Sequence, residues 1–266
     1  MLVNALFDDF RAHLDDYNDR RERLIKTSRD VTNLSKRTIF LLHRMVMEAD
    51  ADDDTAALQA AARGHEKLRE IQRLFAGMKP ELAGDRFWRY QRQVSPGLQE
   101  YTEALSFAHY LEHGSLITFD QVQRTLCDAD GVPYFPLTIA DYLLGLSDLT
   151  GELMRFAISA ISRRGGRAKA SEVCAFVRAC KADFERMTPY VRDLSKKQAV
   201  TALSLEKIEH AAYAIAVRTS EYSLPQEMLD DIVAESISTF SAEDESRTRS
   251  GRRRDDDNPD DIEGLL

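Results

Sequence analysis

The chain has 266 residues, of which 43% are hydrophobic and 30% are charged, so it can build a large core and wholesale disorder is excluded. The formal net charge is −9, but Ser241–Leu266 alone carries nine acidic residues and five arginines, which leaves the rest only mildly acidic. Twelve glycines and seven prolines are few turn residues for an all-β protein of this length, and this favours an α-helical fold.

The cysteines and the apolar runs indicate an intracellular protein. Cys127, Cys174 and Cys180 form no C-x-x-C pair and are odd in number, which argues against a disulfide framework or a zinc knuckle. No apolar run approaches the roughly 18 residues that span a bilayer. We therefore expect a cytoplasmic protein, with the nucleus as a second compartment, and no membrane partner.

The apolar pattern predicts one all-α domain over residues 1–240, a bundle of about seven helices. From Phe10 to Met45, apolar and small polar residues recur every three or four positions, which predicts one long N-terminal helix with a heptad seam. A second helix is expected to begin at Asp54 or Thr55 and to end at Lys79-Pro80.

Capping signals place the later helices. A short helix is expected around residues 84–93, and Ser95-Pro96 predicts the N-terminus of a new helix that ends at Gly114. Thr118 and Thr138 are each expected to cap a further helix. The remaining predicted helices are 139–164, 171–184 and 190–218, followed by a short one that Pro225 can open. Like-charge blocks over residues 241–266 predict a disordered charged tail.

Two of these helices carry acids on faces that are otherwise apolar. Over residues 98–111 the only acids are Glu100 and Glu103, an i, i+3 pair that shares one helix face. Asp148 and Glu152 form an i, i+4 pair in the helix that follows Thr138. The narrow stripe on this second helix consists of Asp141, Gly145, Asp148, Glu152 and Arg155.

A divalent cation would account for these acids. Burying carboxylates without partners costs several kcal/mol each or forces protonation. Mg²⁺ takes oxygen ligands, keeps several waters and can turn a bound water into a nucleophile. The alternatives are that the acids face solvent, or that they pair with arginines of another helix or subunit, and spacing alone leaves both open.

Four segments resemble the translin family, and within it the catalytic type known as translin-associated factor X. They are Ser28–Arg44 (SRDVTNLSKRTIFLLHR), Glu100–His109 (EYTEALSFAH), Asp141–Arg155 (DYLLGLSDLTGELMR) and Ile208–Arg218 (IEHAAYAIAVR). Translin-like chains lack the two glutamates of the Glu100 motif and the acid at position 148, whereas this chain has all three. It departs from the family in a shorter loop before Asp141 and in Thr219, where a glycine is usual.

The resemblance implies a seven-helix all-α fold and assembly with translin into a hollow hetero-oligomer that cleaves single-stranded RNA. It implies Mg²⁺ as the cofactor, with Mn²⁺ as an alternative. The catalytic and metal-binding residues of the family carry over onto Glu100, Glu103, Asp148 and Glu152.

A basic stripe on the first helix is the candidate RNA-binding surface. Its predicted RNA-binding residues are Lys26, Arg29, Lys36, Arg37 and Arg44, which fall within about 120° of arc together with Asn33, Phe40 and His43. Phosphate contacts of this kind do not depend on base sequence. Phe40 could stack on a base or belong to the core. The alternatives for the stripe are a solvated face or salt bridges, for example to Asp30.

The sequence therefore predicts a Mg²⁺-dependent endoribonuclease subunit that is active in complex with translin. The alternative is a non-catalytic RNA-binding or scaffolding subunit of the same assembly, whose acids form only structural ion pairs. A third hypothesis is a helical adaptor without any role in RNA binding.

Overall fold

The computed structural model describes residues 2–48, 54–161 and 166–221, and near the C-terminus residues 225, 227–228, 231–233, 235–236 and 238. Residues 2–48, 54–161 and 166–221 contain seven helices and no strand, and the described residues from 227 to 238 are helical as well, as predicted after Pro225. This confirms the predicted all-α bundle. The predicted tail 241–266 lies outside the described residues. The helices are α1 (Leu2–Glu48), α2 (Asp54–Leu82), α3 (Arg86–His113), α4 (Phe119–Thr125), α5 (Ile139–Ile161), α6 (Gly166–Met187) and α7 (Leu194–Glu221).

Helices α3 and α5 are the centre of the bundle. On one side α1 packs on α2 and α3, which also contact each other, and on the other side α5 packs on α6 and α7. Helix α3 joins the two groups because it packs along α5, and α1 touches α5 in only a small area. None of the helices in the described ranges is long and apolar enough to cross a membrane.

The heptad seam of α1 is buried over most of its length. Leu24, Val31 and Leu42 are almost completely buried, as are the small polar residues between them. Phe10 and Leu14, predicted for the same seam, are instead 49% and 62% exposed. The N-terminal part of the seam therefore has no partner helix within the described part of the chain.

Small residues of α1 and α3 allow these two helices to approach closely. The backbone N–H of Gly97 donates a hydrogen bond of 3.2 Å to the Ser28 hydroxyl. A β-carbon at Gly97 would lie only 2.8 Å from that hydroxyl oxygen. The polar interruption of the seam at Ser28 is thus the contact that seats α3 on α1.

Two proline-based boundaries were wrong. Pro80 lies inside α2, which continues to Leu82, and Ser95-Pro96 lies inside one uninterrupted helix α3. The Ser95 hydroxyl does not cap a helix but donates a hydrogen bond to the Asp141 carboxylate of α5. This tertiary contact uses the hydroxyl group that an N-cap would have needed.

The other capping predictions are confirmed. Thr118 and Gln121 form a reciprocal capping box at the start of α4. The Asp141 N–H donates to the Thr138 hydroxyl over 3.1 Å at the start of α5. Gly114 ends α3 in the left-handed conformation, at φ 65°. Two of these caps fix the end of α3 and the start of α5, which are the two acidic helices.

Candidate active site

The two acidic helices cross at a glycine. Gly145 of α5 lies against α3, where a β-carbon would collide with the Gln99 carbonyl and the Thr102 side chain. Glu103 directly follows Thr102 in α3, and Asp148 lies about one helical turn after Gly145 in α5. The close crossing therefore brings acids from two helices into one region, as the separate stripes predicted.

Glu103 is the buried member of this acidic cluster, which we define as Glu100, Glu103, Asp148 and Glu152. Its side chain is only 8% exposed. Burial, and then the negative charges of the other three acids, raise the pKa of Glu103 to about 9. The charge of Lys197 opposes this shift only in part, and no hydrogen bond to a described residue does so. In the absence of a bound metal ion, the Glu103 carboxyl is therefore protonated at neutral pH.

Glu100 and Asp148 each have a lysine partner. Lys36 Nζ of α1 lies 3.3 Å from Glu100 Oε1, and Lys197 Nζ of α7 donates to both carboxylate oxygens of Asp148. Burial raises the pKa of Glu100, and Lys36 partly offsets that effect. Four helices thus contribute charged side chains to the same region.

Glu152 is held by a buried histidine. His43 Nε2 lies 2.5 Å from Glu152 Oε2, while Arg155 lies 3.9 Å from the same oxygen. The His43 ring packs on Phe107 with 4.6 Å between ring centroids. Because His43 Nδ1 is buried without a hydrogen-bond partner among the described residues, the favoured tautomer carries its proton on Nε2 and donates it to Glu152.

The donor set suits a hard divalent cation, because it consists of carboxylate oxygens with one uncompensated buried member, Glu103. In the arrangement described, however, no three His, Cys, Asp or Glu side chains within the described ranges stand as a ready metal site. Lys36, His43 and Lys197 occupy positions next to the carboxylates that a metal ion would compete for.

Asp141 belongs to the predicted stripe but not to the cluster. It is 2% exposed and accepts hydrogen bonds from Ser95, from Gln99 over 2.8 Å and from Thr138 over 2.7 Å. Its lone pairs are therefore satisfied by neutral donors of α3 and of the turn before α5. Asp141 joins the two helices and is not a free acid of the site.

The basic stripe is exposed on α1. All five of its predicted RNA-binding residues face solvent, namely Lys26, Arg29, Lys36, Arg37 and Arg44. No ion pair with Asp30 is found among the described residues; Lys36 instead reaches Glu100, and Arg44 Nε lies 4.0 Å from Glu48. His43 is the exception, since it is 3% exposed and turns inward to Glu152.

Comparison with known proteins identifies the family of this chain. The model of the translin family matches residues 19–219. The chain belongs to the translin family. It is 36% identical over 252 residues to Translin-associated protein X of Rattus norvegicus, covering 86% of this chain and 83% of the relative. The Schizosaccharomyces pombe homolog of that protein is 29% identical, and the match covers 81% of this chain and 89% of the homolog's length.

The translin-family match confirms the resemblance that the four motifs predicted and includes every residue of the acidic cluster and of the basic stripe. Translin of Homo sapiens is 20% identical over 82% of this chain and 94% of its own length. Among solved structures, AfC3PO superposes with a TM-score of 0.58 at 22% identity, covering 80% of this chain and 97% of the other. This similarity shows the same helical fold.

Two residues of this translin-family site were not predicted from the sequence. Lys197 follows Lys196 near the start of α7, where the helix dipole disfavours positive charge. That position indicates acidic partners for both lysines and does not single out Lys197. His43 was assigned to the exposed stripe because its helical angle places it beside Lys36. No local pattern distinguishes a stripe residue from one turned toward α5.

Proposed function

We propose that this translin-family chain is the Mg²⁺-dependent endoribonuclease subunit of a hetero-oligomer with translin and cleaves single-stranded RNA. The observation that carries the proposal is Glu103, a buried carboxyl surrounded by three further acids, which forms no ion pair with any described residue and is only partly offset by the charge of Lys197. Gathering three partly buried carboxylates around a buried fourth is electrostatically costly, and it is expected where a cation or a proton is exchanged.

Glu100, Glu103, Asp148 and Glu152 would hold the metal ion, with Mn²⁺ as an alternative to Mg²⁺. When bound, the cation would supply Lewis-acid stabilisation of the phosphate and a water of lowered pKa. For this the lysine and histidine partners must release carboxylate oxygens, and Lys36 is the side chain most free to do so because it is 63% exposed.

The basic stripe would bind the RNA backbone. Its five cations lie along α1, and Lys36 belongs both to this surface and to the acidic cluster. A phosphate that draws Lys36 away from Glu100 would therefore sit beside the carboxylates. Among the similar structures is a complex of AfC3PO with duplex RNA, at a TM-score of 0.59 and 20% identity, which supports RNA as the class of ligand.

A non-catalytic RNA-binding or scaffolding subunit is the second candidate function. It is favoured by the partners of three of the acids. Lys36 and Lys197 neutralise Glu100 and Asp148, and His43 donates a hydrogen bond to Glu152, as in a structural network. In that case Glu103 stays protonated and the cluster only fastens α1 and α7 to the α3–α5 pair.

Glu103→Gln in the assembled complex separates the two functions. A labelled single-stranded RNA is incubated with Mg²⁺, with Mn²⁺ or with EDTA, and its cleavage is followed on a gel. We expect cleavage that needs the metal and is reduced at least about a hundredfold by the substitution. Glu112→Gln is the matched control, because Glu112 lies in the same helix but is 40% exposed and outside the cluster. Cleavage that Glu103→Gln leaves unchanged would assign the chain to the non-catalytic class.

A further inference from the structure

Phe40 is an exposed aromatic residue in the middle of the basic stripe. Its side chain is 60% exposed, and it is not part of the hydrophobic core. At 100° per residue, all five stripe cations lie within about 60° of Phe40 around the helix axis. The exposed ring is therefore flanked by positive charge on both sides along α1, in the described part of the chain.

Phe40 is also the stripe residue that sits between the two contacts of α1 with the acidic cluster. Lys36, one turn before it, reaches Glu100, and His43, nearly one turn after it, reaches Glu152. A strand that follows the stripe toward the carboxylates must pass this ring. His43 is buried and Phe40 is exposed, so the His43 ring faces α5 and the Phe40 ring faces solvent.

An aromatic ring interleaved with cations is the arrangement that proteins use to bind single-stranded nucleic acid. The cations follow the phosphates, and unpaired bases stack on the ring whatever their identity, because every base has a π-face. In a duplex the faces of internal bases are covered by their neighbours, so the same ring gains little from a paired strand.

We propose that Phe40 is a base-stacking residue that gives this surface its preference for single-stranded RNA. The inference rests on the proposed function to the extent that RNA is the ligand, and it adds the feature that is recognised, an unpaired nucleobase at the entrance to the acidic cluster. Stacking at this point would fix one nucleotide while the neighbouring phosphates contact Lys36 and Arg37.

The test uses the full chain in complex with translin, in EDTA so that no RNA is cut. Binding is measured for two probes of equal length, an oligouridylate and a fully abasic ribose-phosphate strand with the same number of phosphates. Phe40→Ala should weaken binding of the oligouridylate at least about fivefold and leave binding of the abasic strand unchanged. Phe40→Trp should retain the affinity of the parent, whereas Phe40→Leu should behave like Phe40→Ala.

Tyr213→Ala is the matched control, because Tyr213 is an exposed aromatic residue on α7, away from the stripe. Its affinity for both probes should equal that of the parent. The stacking role would be overturned if Phe40→Ala lost the same affinity for both probes. It would also be overturned if Phe40→Leu bound the oligouridylate as tightly as the parent does. Loss of complex formation on gel filtration would assign Phe40 to a protein interface and would also overturn it.

The two proposals fail separately. If Phe40→Ala binds both probes like the parent while the complex still cleaves RNA with Mg²⁺, the stacking inference is wrong and the nuclease assignment stands. If Glu103→Gln leaves cleavage unchanged while Phe40→Ala selectively loses the oligouridylate, Phe40 stacks bases in a subunit that does not itself cut RNA.

Discussion

Gly145 of α5 lies so close to Thr102 of α3 that a β-carbon added to the glycine would come within 2.7 Å of the Thr102 Cβ. Because the Gln99 carbonyl is equally close, Gly145→Ala must push the two helices apart. We expect a loss of about 1–3 kcal/mol in unfolding free energy, measured by urea denaturation, together with reduced RNA cleavage.

Gly151→Ala is the control for this substitution. Gly151 lies in the same helix, but a β-carbon there would meet nothing within 4 Å. The replacement should stabilise the protein by up to about 1 kcal/mol, because alanine has the higher helix propensity. Equal stability changes for the two alanine variants would contradict the close crossing of α3 and α5.

Much of the fold is predictable from local patterns. Helical periodicity predicts the length of α1, and side-chain caps predict where α4 and α5 begin, because both depend on neighbours within a few residues. The helix boundary predicted at Ser95-Pro96 is wrong because the role of Ser95 depends on a residue far away in the chain. The pair is favourable at a helix N-terminus, but the contact of Ser95 with Asp141, 46 residues away, belongs to an uninterrupted helix.

The site is predictable only in part. The acids stand out because carboxylates interrupt apolar helix faces, which is a property of single helices. Their partners come from elsewhere: His43 and Glu152 are 109 residues apart, and Lys197 and Asp148 are 49 apart. Which cation reaches which acid depends on how α1 and α7 dock, and helical periodicity carries no information about that.

Glu103→Gln should stabilise the metal-free protein in a pH-dependent way. The folded-state pKa of Glu103 is about 9, against a usual value of 4.5, so on raising the pH the unfolded chain loses this proton first. The native protein therefore loses stability between pH 4.5 and 9, by up to about 1.4 kcal/mol per pH unit. Glutamine mimics the protonated form and removes this loss.

The measurement is urea denaturation in EDTA at several pH values. The stability difference between Glu103→Gln and the parent should be near zero at pH 4 and should grow as the pH rises toward 9. Glu112→Gln, which removes an exposed acid of the same helix, should show no such growth. A difference that is constant from pH 4 to 9 would mean that Glu103 is not protonated in the folded protein.

Lys197→Gln should strengthen metal binding. Lys197 donates to both carboxylate oxygens of Asp148, so a cation at the acidic cluster must compete with its ammonium group. Removing that charge should raise the Mg²⁺ or Mn²⁺ affinity about tenfold or more, as measured by titration calorimetry. Lys196→Gln is the control, because Lys196 is 83% exposed and pairs with Asp193 instead. Affinity that is unchanged in both variants would argue against a metal ion beside Asp148.

Removing Arg29 and Arg37 together should weaken RNA binding at low salt and flatten its salt dependence. Both are exposed, and neither has an acidic partner among the described residues, so on binding they would release counterions from phosphates. For a single strand, each lost contact should reduce the slope of log affinity against log salt by about 0.7. The slope is measured by filter-retention binding at 50–200 mM salt. Arg69→Gln on α2 is the control and should leave the slope unchanged. If the double variant Arg29→Gln, Arg37→Gln has the same slope as the parent, the basic stripe does not bind the RNA backbone.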